Sequence, residues 1–323
     1  MTAEWIPDVL GAPFQQLTLE LDADVDGPVA ATLVRRRPHA LGALVRPLRD
    51  VDVLYVHGWS DYFFQTALAE FWNGLGARFY ALDLRKYGRS LRPGQTPGYI
   101  SSLDDYDADI DAALAAMPGR AGRPLVLMGH STGGLTLTLW AARHPGVASA
   151  LVLNSPWLEL QTGAFARQAL TPLVHARARL DPLGAQPAVD LGFYTRAQRE
   201  LETLPTGHED WRPERGFSTH PGWLAAVIAG HAKVAAGVDV GCPALVLLST
   251  TSVQPFAWSE AMTSADAVLT VDDIARAATR IGRDVTLARI DGAIHDVFLS
   301  RPAARDAAYA ALRRWVLRGA LER

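Results

Sequence analysis

Short apolar runs alternate along most of the chain with segments whose apolar residues recur at helical spacing. The runs predict strands and the spaced segments predict helices, because side chains alternate in a strand and repeat about every 3.6 residues in a helix. The predicted strands span residues 14–21, 29–35, 51–56, 78–84, 124–128, 148–153, 243–248 and 285–290. The predicted helices span about 63–72, 102–117 and 303–317, with another that ends at Arg143.

The first two strands are joined by a polar stretch around Asp24, Asp26 and Gly27, which indicates a hairpin. The later strands alternate with helices, as in right-handed βαβ units. The pattern therefore predicts an α/β fold with a mostly parallel, eight-stranded sheet flanked by helices. Chemistry in such sheets lies beyond the carboxyl ends of the strands, where the chain places His57, Asp83, Ser131 and Asn154.

The alternation stops after Trp157. Residues 158–235 contain six prolines and several arginines, and they show no clear core strand. A structureless loop of this length is uncommon inside a compact domain. We therefore expect an inserted subdomain at 158–235 and a core built from 1–157 and 236–323.

Composition narrows the class of protein. Hydrophobic residues make up 49% of the chain, charged residues 20%, and the formal net charge is −3, which is typical of a globular protein and gives no reason to expect nucleic acid as a partner. No stretch approaches about 18 uninterrupted apolar residues, and an acidic residue stands near the N-terminus where a signal peptide needs basic ones. We expect no stable membrane anchor and a cytoplasmic location.

Cofactor and metal motifs are not found in the sequence. Cys242 is the only cysteine, which excludes an intramolecular disulfide and a cysteine metal cluster. Its place before an apolar run predicts a small buried residue at a strand entrance rather than a reactive thiol. No histidine pair has the H-E-x-x-H spacing, and no G-x-G-x-x-G follows a strand. We therefore expect neither cofactor nor metal.

The strongest chemical signal is the G-x-S-x-G formed by Gly129-His130-Ser131-Thr132-Gly133. It lies directly after a predicted buried strand and directly before a predicted helix, the context in which this pattern marks a strained nucleophile turn. Glycines let the backbone pass close beneath the serine, and the helix N-terminus favours developing negative charge. Ser131 is the predicted nucleophile; the alternative is a glycine-rich helix start with an idle serine.

A serine hydroxyl needs a base, and the base needs an acid to orient it. His295 follows the last predicted strand at a glycine-containing turn, and we predict that it is the base. The acid must come after the 243–248 strand. Asp266 is favoured over Glu260, while Asp272 and Asp273 resemble the N-terminal cap of a helix that begins near residue 274.

An oxyanion hole needs two backbone N–H groups. One is expected from Thr132, immediately after the nucleophile. The other is expected from Trp59, in the loop where Gly58 lets the backbone turn after the 51–56 strand. Trp59 could instead be an anchoring aromatic residue.

These motifs together resemble α/β-hydrolases of the monoglyceride lipase, lysophospholipase and serine aminopeptidase group. The residues that carry the resemblance are His57-Gly58, the segment from Asp83 to Ser90, Gly129 to Gly134, Asp266-Ala-Val-Leu and Gly292 to His295. The resemblance covers about 50–155 and 240–318, and the 158–235 insertion falls where that group carries a helical cap. Two features depart from the group: Lys86 stands where a glycine is usual, and the segment before Asp266 is extended.

The resemblance implies an acyl-enzyme mechanism on a small-molecule ester or lipid-like substrate, with the cap setting specificity. The residues predicted to bind substrate are His57, Gly58, His130, Trp157 and Trp223. Further aromatic or apolar residues of the insertion line a pocket or form the cap's own core, namely Phe165, Leu170, Phe193, Tyr194, Trp211 and Phe217, with Trp258 near the mouth. The arginines of the insertion can bind a phosphate headgroup of the substrate or form a solvated helix face.

Other functions remain open at this point. The same machinery could serve a thioesterase or a carbon–carbon bond hydrolase. A protein of a different class, a non-catalytic ligand-binding homologue, would retain the fold without turnover, although the candidate serine and histidine are both present. The acyl chain, the leaving group, the oligomeric state and any movement of the cap are not predicted.

Overall fold

The computed structural model describes residues 4–37, 46–160, 164–184, 191–205, 207–319 and 321, with the side chains of 164–170 excepted. Within these residues one sheet contains nine strands in the order β1-β2-β3-β5-β4-β6-β7-β8-β9. The strands are β1 (Ile6–Pro7), β2 (Phe14–Asp24), β3 (Gly27–Arg36), β4 (Asp52–Val56), β5 (Arg78–Asp83), β6 (Leu125–His130), β7 (Ala150–Asn154), β8 (Ala244–Ser249) and β9 (Val285–Ile290).

The sheet confirms the predicted fold with one correction to the strand number. The additional strand is β1, a two-residue segment that pairs antiparallel with β2 and is too short to leave a periodic signal in the sequence. The β2–β3 hairpin and the β3–β5 pair are antiparallel, and every later pairing is parallel. The sheet is therefore mostly parallel, as its alternation with helices requires.

The described helices are α1 (Thr66–Leu75), α2 (Asp107–Ala116), α3 (Thr132–Arg143), α4 (Ala164–Leu180), α5 (Phe193–Glu200), α6 (Pro221–Ala236), α7 (Val271–Ala278) and α8 (Pro302–Leu317). Helix α1 begins three residues later than predicted, because the N–H of Phe63 donates to Asp83 Oδ1 and holds that residue in the loop. The predicted 102–117 helix is divided into a 3₁₀ turn, Leu103–Tyr106, and α2.

Central strands are buried on both faces, which explains their continuous apolar runs. In β4, Leu54 and Val56 join the apolar layer beneath α2 and α3, whereas Val53 and Tyr55 join the layer beneath α1 and α8. Two helical layers therefore sandwich the sheet, and the loops that leave its carboxyl edge form one face of the molecule.

The 158–235 segment lies between β7 and β8 and carries α4, α5 and nearly all of α6. We keep the name insertion for residues 158–235. Its described elements are helical, as expected from a stretch without a core strand. The division into core and cap stays a prediction, because helix α6 continues one residue past its end and packs on α3 of the core.

The backbone conformation at Lys86 explains why the group that the sequence resembles usually has a glycine at this position. Its φ is +63°, in the left-handed region where residues with a Cβ are disfavoured. Its side chain is fully buried and its Nζ lies 2.6 Å from Asp24 and 2.7 Å from Asp26 of the hairpin turn. The lysine thus ties the hairpin to the loop after β5.

Candidate functional site

Ser131 lies at the turn between β6 and α3 with φ +51° and ψ −116°. This conformation is strained for a non-glycine residue, and hydrogen bonds hold it on both sides. The N–H of Ser131 donates to the carbonyl of Asn154 at 3.0 Å, and the N–H of Trp157 donates to the carbonyl of Ser131 at 3.0 Å. Gly133 is required here, because a Cβ on it would lie 2.2 Å from the carbonyl oxygen of His57.

His295 reaches Ser131 from the loop after β9. Its Nε2 lies 3.0 Å from Ser131 Oγ and its Nδ1 lies 2.9 Å from Asp266 Oδ2. All three residues are buried, with 2% of His295 and 8% of Ser131 exposed. The structure therefore brings the three predicted catalytic residues into one hydrogen-bonded chain.

Asp266 is fixed by the backbone that follows it. Its Oδ1 accepts hydrogen bonds from the N–H groups of Val268 and Leu269, both at 2.8 Å, and leaves Oδ2 for His295. A bridge between Ser252 and Asp266 ties this segment to the loop after β8. The extended segment before Asp266 therefore does not displace the carboxylate from the histidine.

The other acids considered from sequence lie elsewhere. Asp272 pairs with Arg289, and Asp273 pairs with Arg276. Neither is a cap residue, which corrects the prediction: α7 begins at residue 271, so both acids occupy its first turn. Glu260 lies in a 3₁₀ turn.

The predicted oxyanion donors belong to segments that adjoin Ser131, and their role stays a prediction. Thr132 is the first residue of α3, where a helix leaves its N–H without an intrahelical acceptor. Gly58 packs against the serine, since a Cβ on it would lie 3.1 Å from Ser131 Cβ. Trp59 follows directly in the same loop.

His57 and His130 have structural contacts that the sequence did not reveal. His57 Nε2 accepts from the N–H of Leu84 at 3.1 Å, so its Nδ1 carries the proton and donates to the carbonyl of Gly58 at 2.7 Å. His130 Nδ1 lies 3.1 Å from the carbonyl of Asn154, and burial lowers the pKa of its imidazole. Both rings hold the loops around Ser131; contact with substrate stays a prediction.

Aromatic side chains from the core and the insertion pack together around Trp59. Trp223 of α6 packs on Trp59 with ring centroids 3.8 Å apart, and Trp157 lies 6.1 Å from Trp223. Phe217 contacts Trp59 edge-on at 6.0 Å. The side chains of Phe165 and Leu170, also expected here, lie outside the described residues.

Tyr194 and Trp258, two other aromatic residues named from the sequence, have different neighbours. The ring of Tyr194, on α5, lies 5.5 Å from that of His295 at an angle of 83°. Trp258 instead contacts Phe193 and the guanidinium of Arg196. The sequence named Tyr194 only as an aromatic residue of the insertion, and no local pattern could have shown that it faces His295.

Sequence reasoning also missed a buried network beneath the histidine. Asp296 Oδ1 accepts from Asn154 Nδ2 at 2.7 Å, and Asn154 Oδ1 accepts from the N–H of Val297 at 3.2 Å. The network connects the end of β7 with the loop that carries His295. The only sequence feature that pointed to this network was the position of Asn154 at the carboxyl end of a predicted strand.

Neither a membrane-spanning helix nor a metal-binding group of side chains is found among the described residues. None of their helices is both long and apolar enough to span a bilayer. No group of three histidine, cysteine, aspartate or glutamate side chains among them is arranged to hold a metal ion.

Comparisons with known proteins agree with this architecture. Residues 49–251 match the family model described as serine aminopeptidase, S33. The crystal structure of a monoacylglycerol lipase from Paleococcus ferrophilus superposes with a TM-score of 0.63 at 22% identity, over 84% of this chain and 95% of that one. At this identity the likeness concerns the fold.

Curated relatives match over part of their length. The lipase LipV of Mycobacterium tuberculosis is 27% identical over 180 residues, or 51% of this chain and 63% of that protein. A monoacylglycerol lipase of Mycolicibacterium smegmatis is 29% identical over 113 residues, or 34% of this chain and 39% of that protein. The chain thus spans less than two thirds of these relatives. Because the family model covers well over half of the chain, the protein belongs to the serine aminopeptidase S33 family of α/β-hydrolases.

Proposed function

We propose that the protein is a serine hydrolase that cleaves carboxylic esters with an apolar acyl group. Ser131 is the nucleophile, His295 the general base and Asp266 the orienting acid. The observation that carries the proposal is the hydrogen-bonded chain from Asp266 through His295 to Ser131, with distances of 2.9 and 3.0 Å. A serine at hydrogen-bonding distance from an oriented histidine is the arrangement that nucleophilic catalysis requires.

Acylation begins when Ser131 Oγ attacks the ester carbonyl carbon while His295 Nε2 takes the hydroxyl proton. The carbonyl π electrons move to its oxygen, which the N–H groups of Trp59 and Thr132 stabilise. The tetrahedral intermediate collapses, the carbon–oxygen bond to the alcohol breaks, and His295 returns the proton to the leaving alcohol. Asp266 keeps the proton of Nδ1 in place and stabilises the imidazolium.

Deacylation repeats these steps with water as the nucleophile. His295 takes one proton from water, the hydroxide oxygen attacks the acyl carbon, and the proton passes to Ser131 Oγ as the carboxylic acid leaves. Each oxyanion N–H contributes roughly 10²–10³ in rate. No external oxidant or reductant is consumed.

The aromatic cluster supports an apolar acyl group as substrate. The rings of Trp59, Trp157, Trp223 and Phe217 pack together next to the loop after β4, and we assign the insertion, which supplies Trp223 and Phe217, the role of a cap over the ester. The relatives named lipase and monoacylglycerol lipase agree with a small ester or lipid-like substrate.

A phosphate headgroup has less support. Arg177 pairs with Asp181, Arg196 with Glu200 and Arg199 with Glu214 on exposed surfaces. These arginines form a solvated face, which favours an uncharged alcohol over a lysophospholipid.

The test is labelling with a fluorophosphonate, followed by mass spectrometry of the modified peptide. We expect labelling at Ser131 in the native protein and its loss in Ser131→Ala. Hydrolysis of p-nitrophenyl esters and monoacylglycerols of graded chain length then defines the acyl preference, with acyl thioesters and β-diketones as competing substrate classes. A folded protein that neither labels nor hydrolyses any of these would contradict the proposal and favour a non-catalytic binding role.

A further inference from the structure

One buried ion pair connects the insertion to the loop that carries Trp59. Arg212 Nε donates to Asp61 Oδ1 at 3.0 Å, and the two side chains are only 8% and 9% exposed. Asp61 lies two residues after Trp59, whose N–H is the proposed oxyanion donor. The ion pair therefore anchors the backbone close to that N–H.

The same loop is held by a second contact from the insertion. The N–H of Phe217 donates to Ser60 Oγ at 3.0 Å. Ser60 has a φ of +50°, a conformation that persists in a non-glycine residue only when its surroundings fix it. Ser60 and Asp61 thus take their conformation from the segment around Arg212 and Phe217.

Arg212 also extends towards the histidine. Its Nη2 donates to Gln198 Oε1, and Gln198 Nε2 lies 3.2 Å from Tyr194 Oη. The Tyr194 ring faces His295 at 5.5 Å. Asp61, Arg212, Gln198 and Tyr194 therefore form a continuous polar chain from the oxyanion loop to the ring against the proposed base.

Stability alone is a poor explanation for this arrangement. A buried ion pair adds little net stability compared with apolar residues that fill the same space. Among the described residues, Arg212 Nη1 is buried without a hydrogen-bond partner, which adds to the cost of desolvating the guanidinium.

We propose that Arg212 is a positioning residue that sets the oxyanion loop through Asp61 and the ring of Tyr194 through Gln198. The inference rests on the proposed function. It means that the insertion, besides covering the substrate, completes the geometry of the reaction. The side chain of Arg212 acts on Trp59 and His295 through its partners.

The experiment compares Arg212→Met and Asp61→Leu, which removes the acceptor at nearly unchanged size, with the native protein. Kinetics with p-nitrophenyl butyrate, the rate of fluorophosphonate labelling and the melting temperature are measured for each. The control is Arg78→Met, since Arg78 pairs with the buried Asp52 at the opposite ends of the strands. Both test variants should lose about 10–100-fold in kcat, part of the value of one oxyanion donor, with KM changed less than threefold.

Labelling should slow in parallel. The double variant should be no slower than Arg212→Met, because that change already removes the contact that Asp61→Leu breaks. Arg78→Met should keep its kcat below its melting temperature. Native kcat and labelling in folded Arg212→Met or Asp61→Leu would overturn the inference alone, and an equal kcat loss in Arg78→Met would do the same. A native protein that neither labels nor turns over would overturn the proposed function as well.

Discussion

The α/β core and the insertion hold their charged side chains in different ways. In the core, Arg89 is buried between Asp8 and Asp83, and Lys86 is buried between two carboxylates of the hairpin. In the insertion, the pairs Arg177–Asp181 and Arg196–Glu200 are one helical turn apart and exposed. Exposed pairs of this kind contribute little to stability, so the core fixes geometry and the insertion's surface charges do not.

Their apolar residues differ in the same direction. Helix α3 is buried along residues 132–141, whereas Leu173 and Leu180 of α4 are 66% and 85% exposed. The insertion gains its firm contacts where it meets the core, through Trp223, Phe217 and Arg212. The hydrogen-bonded chain of Asp266, His295 and Ser131 thus belongs to the core. The roles that we propose for the insertion, in substrate choice and in positioning the loop of Trp59, depend on these contacts between the two regions.

The sharpest way to break this comparison is to alter the acid of the core. Asp266→Asn should lower kcat by about 10⁴, because the amide no longer holds the imidazole in the productive tautomer. Steady-state kinetics with p-nitrophenyl butyrate measure the effect. Asp272→Asn is the matched control and should retain full activity, since that side chain is exposed and contacts Arg289. An equal loss in both variants would contradict the assignment of Asp266.

Removing a buried core charge should cost far more than removing an exposed charge of the insertion. Lys86→Met leaves the carboxylates of Asp24 and Asp26 together without their cation, and should lower the free energy of unfolding by about 2–3 kcal/mol. Arg177→Met, which breaks an exposed helical pair, should cost about 0.5 kcal/mol or less. Urea denaturation compares the two, and similar losses would remove the distinction between the regions.

The role that we propose for the insertion in substrate choice is tested with Trp223→Phe. A smaller ring against Trp59 should reduce kcat/KM for a decanoate ester about tenfold more than for a butyrate ester, since a lost apolar contact in a pocket is worth roughly 1–3 kcal/mol. Trp211→Phe is the control, because Trp211 contacts Tyr62 and His208. If both variants change the ratio of the two esters equally, Trp223 has no special part in acyl recognition.

The smallest expected effect is the pH dependence of the hairpin contact. Burial raises the pKa of Asp26, but hydrogen bonds and the charge from Lys86, with hydrogen bonds from Thr96, outweigh it and lower the pKa below 3.8. The ionised form is thus favoured by folding, so its stabilisation is complete above the unfolded value and is lost as pH falls through the folded pKa.

Asp26→Asn should therefore lose less stability than the native protein when the pH falls from 5 to 3, by about 0.5 kcal/mol. Urea denaturation across this range measures the difference. A native protein and variant with the same pH dependence would show that Asp26 does not contribute.

Much of the core could be predicted because its signals are local. The buried strands before His57 and Ser131 appear as continuous apolar runs, and the predicted 285–290 strand has the bounds of β9. The strand-turn-helix context also located Ser131. The prediction was weaker where a segment's structure depends on distant contacts, as at α1, where Asp83 holds Phe63 out of the helix, and at β1, which exists only by pairing with β2.

The sequence by itself determined the order of strands and helices, the strained turn at Ser131 and the place of His295 after the last strand, because periodicity and turn chemistry act between near neighbours. Only the tertiary structure decided that Asp266 faces His295, that Tyr194 covers it, and that Arg212 reaches Asp61 across 151 positions. The first contact forms because the sheet places β8 beside β9 and so brings the loops that follow them together. The other two form only when the carboxyl edge of the sheet meets the insertion.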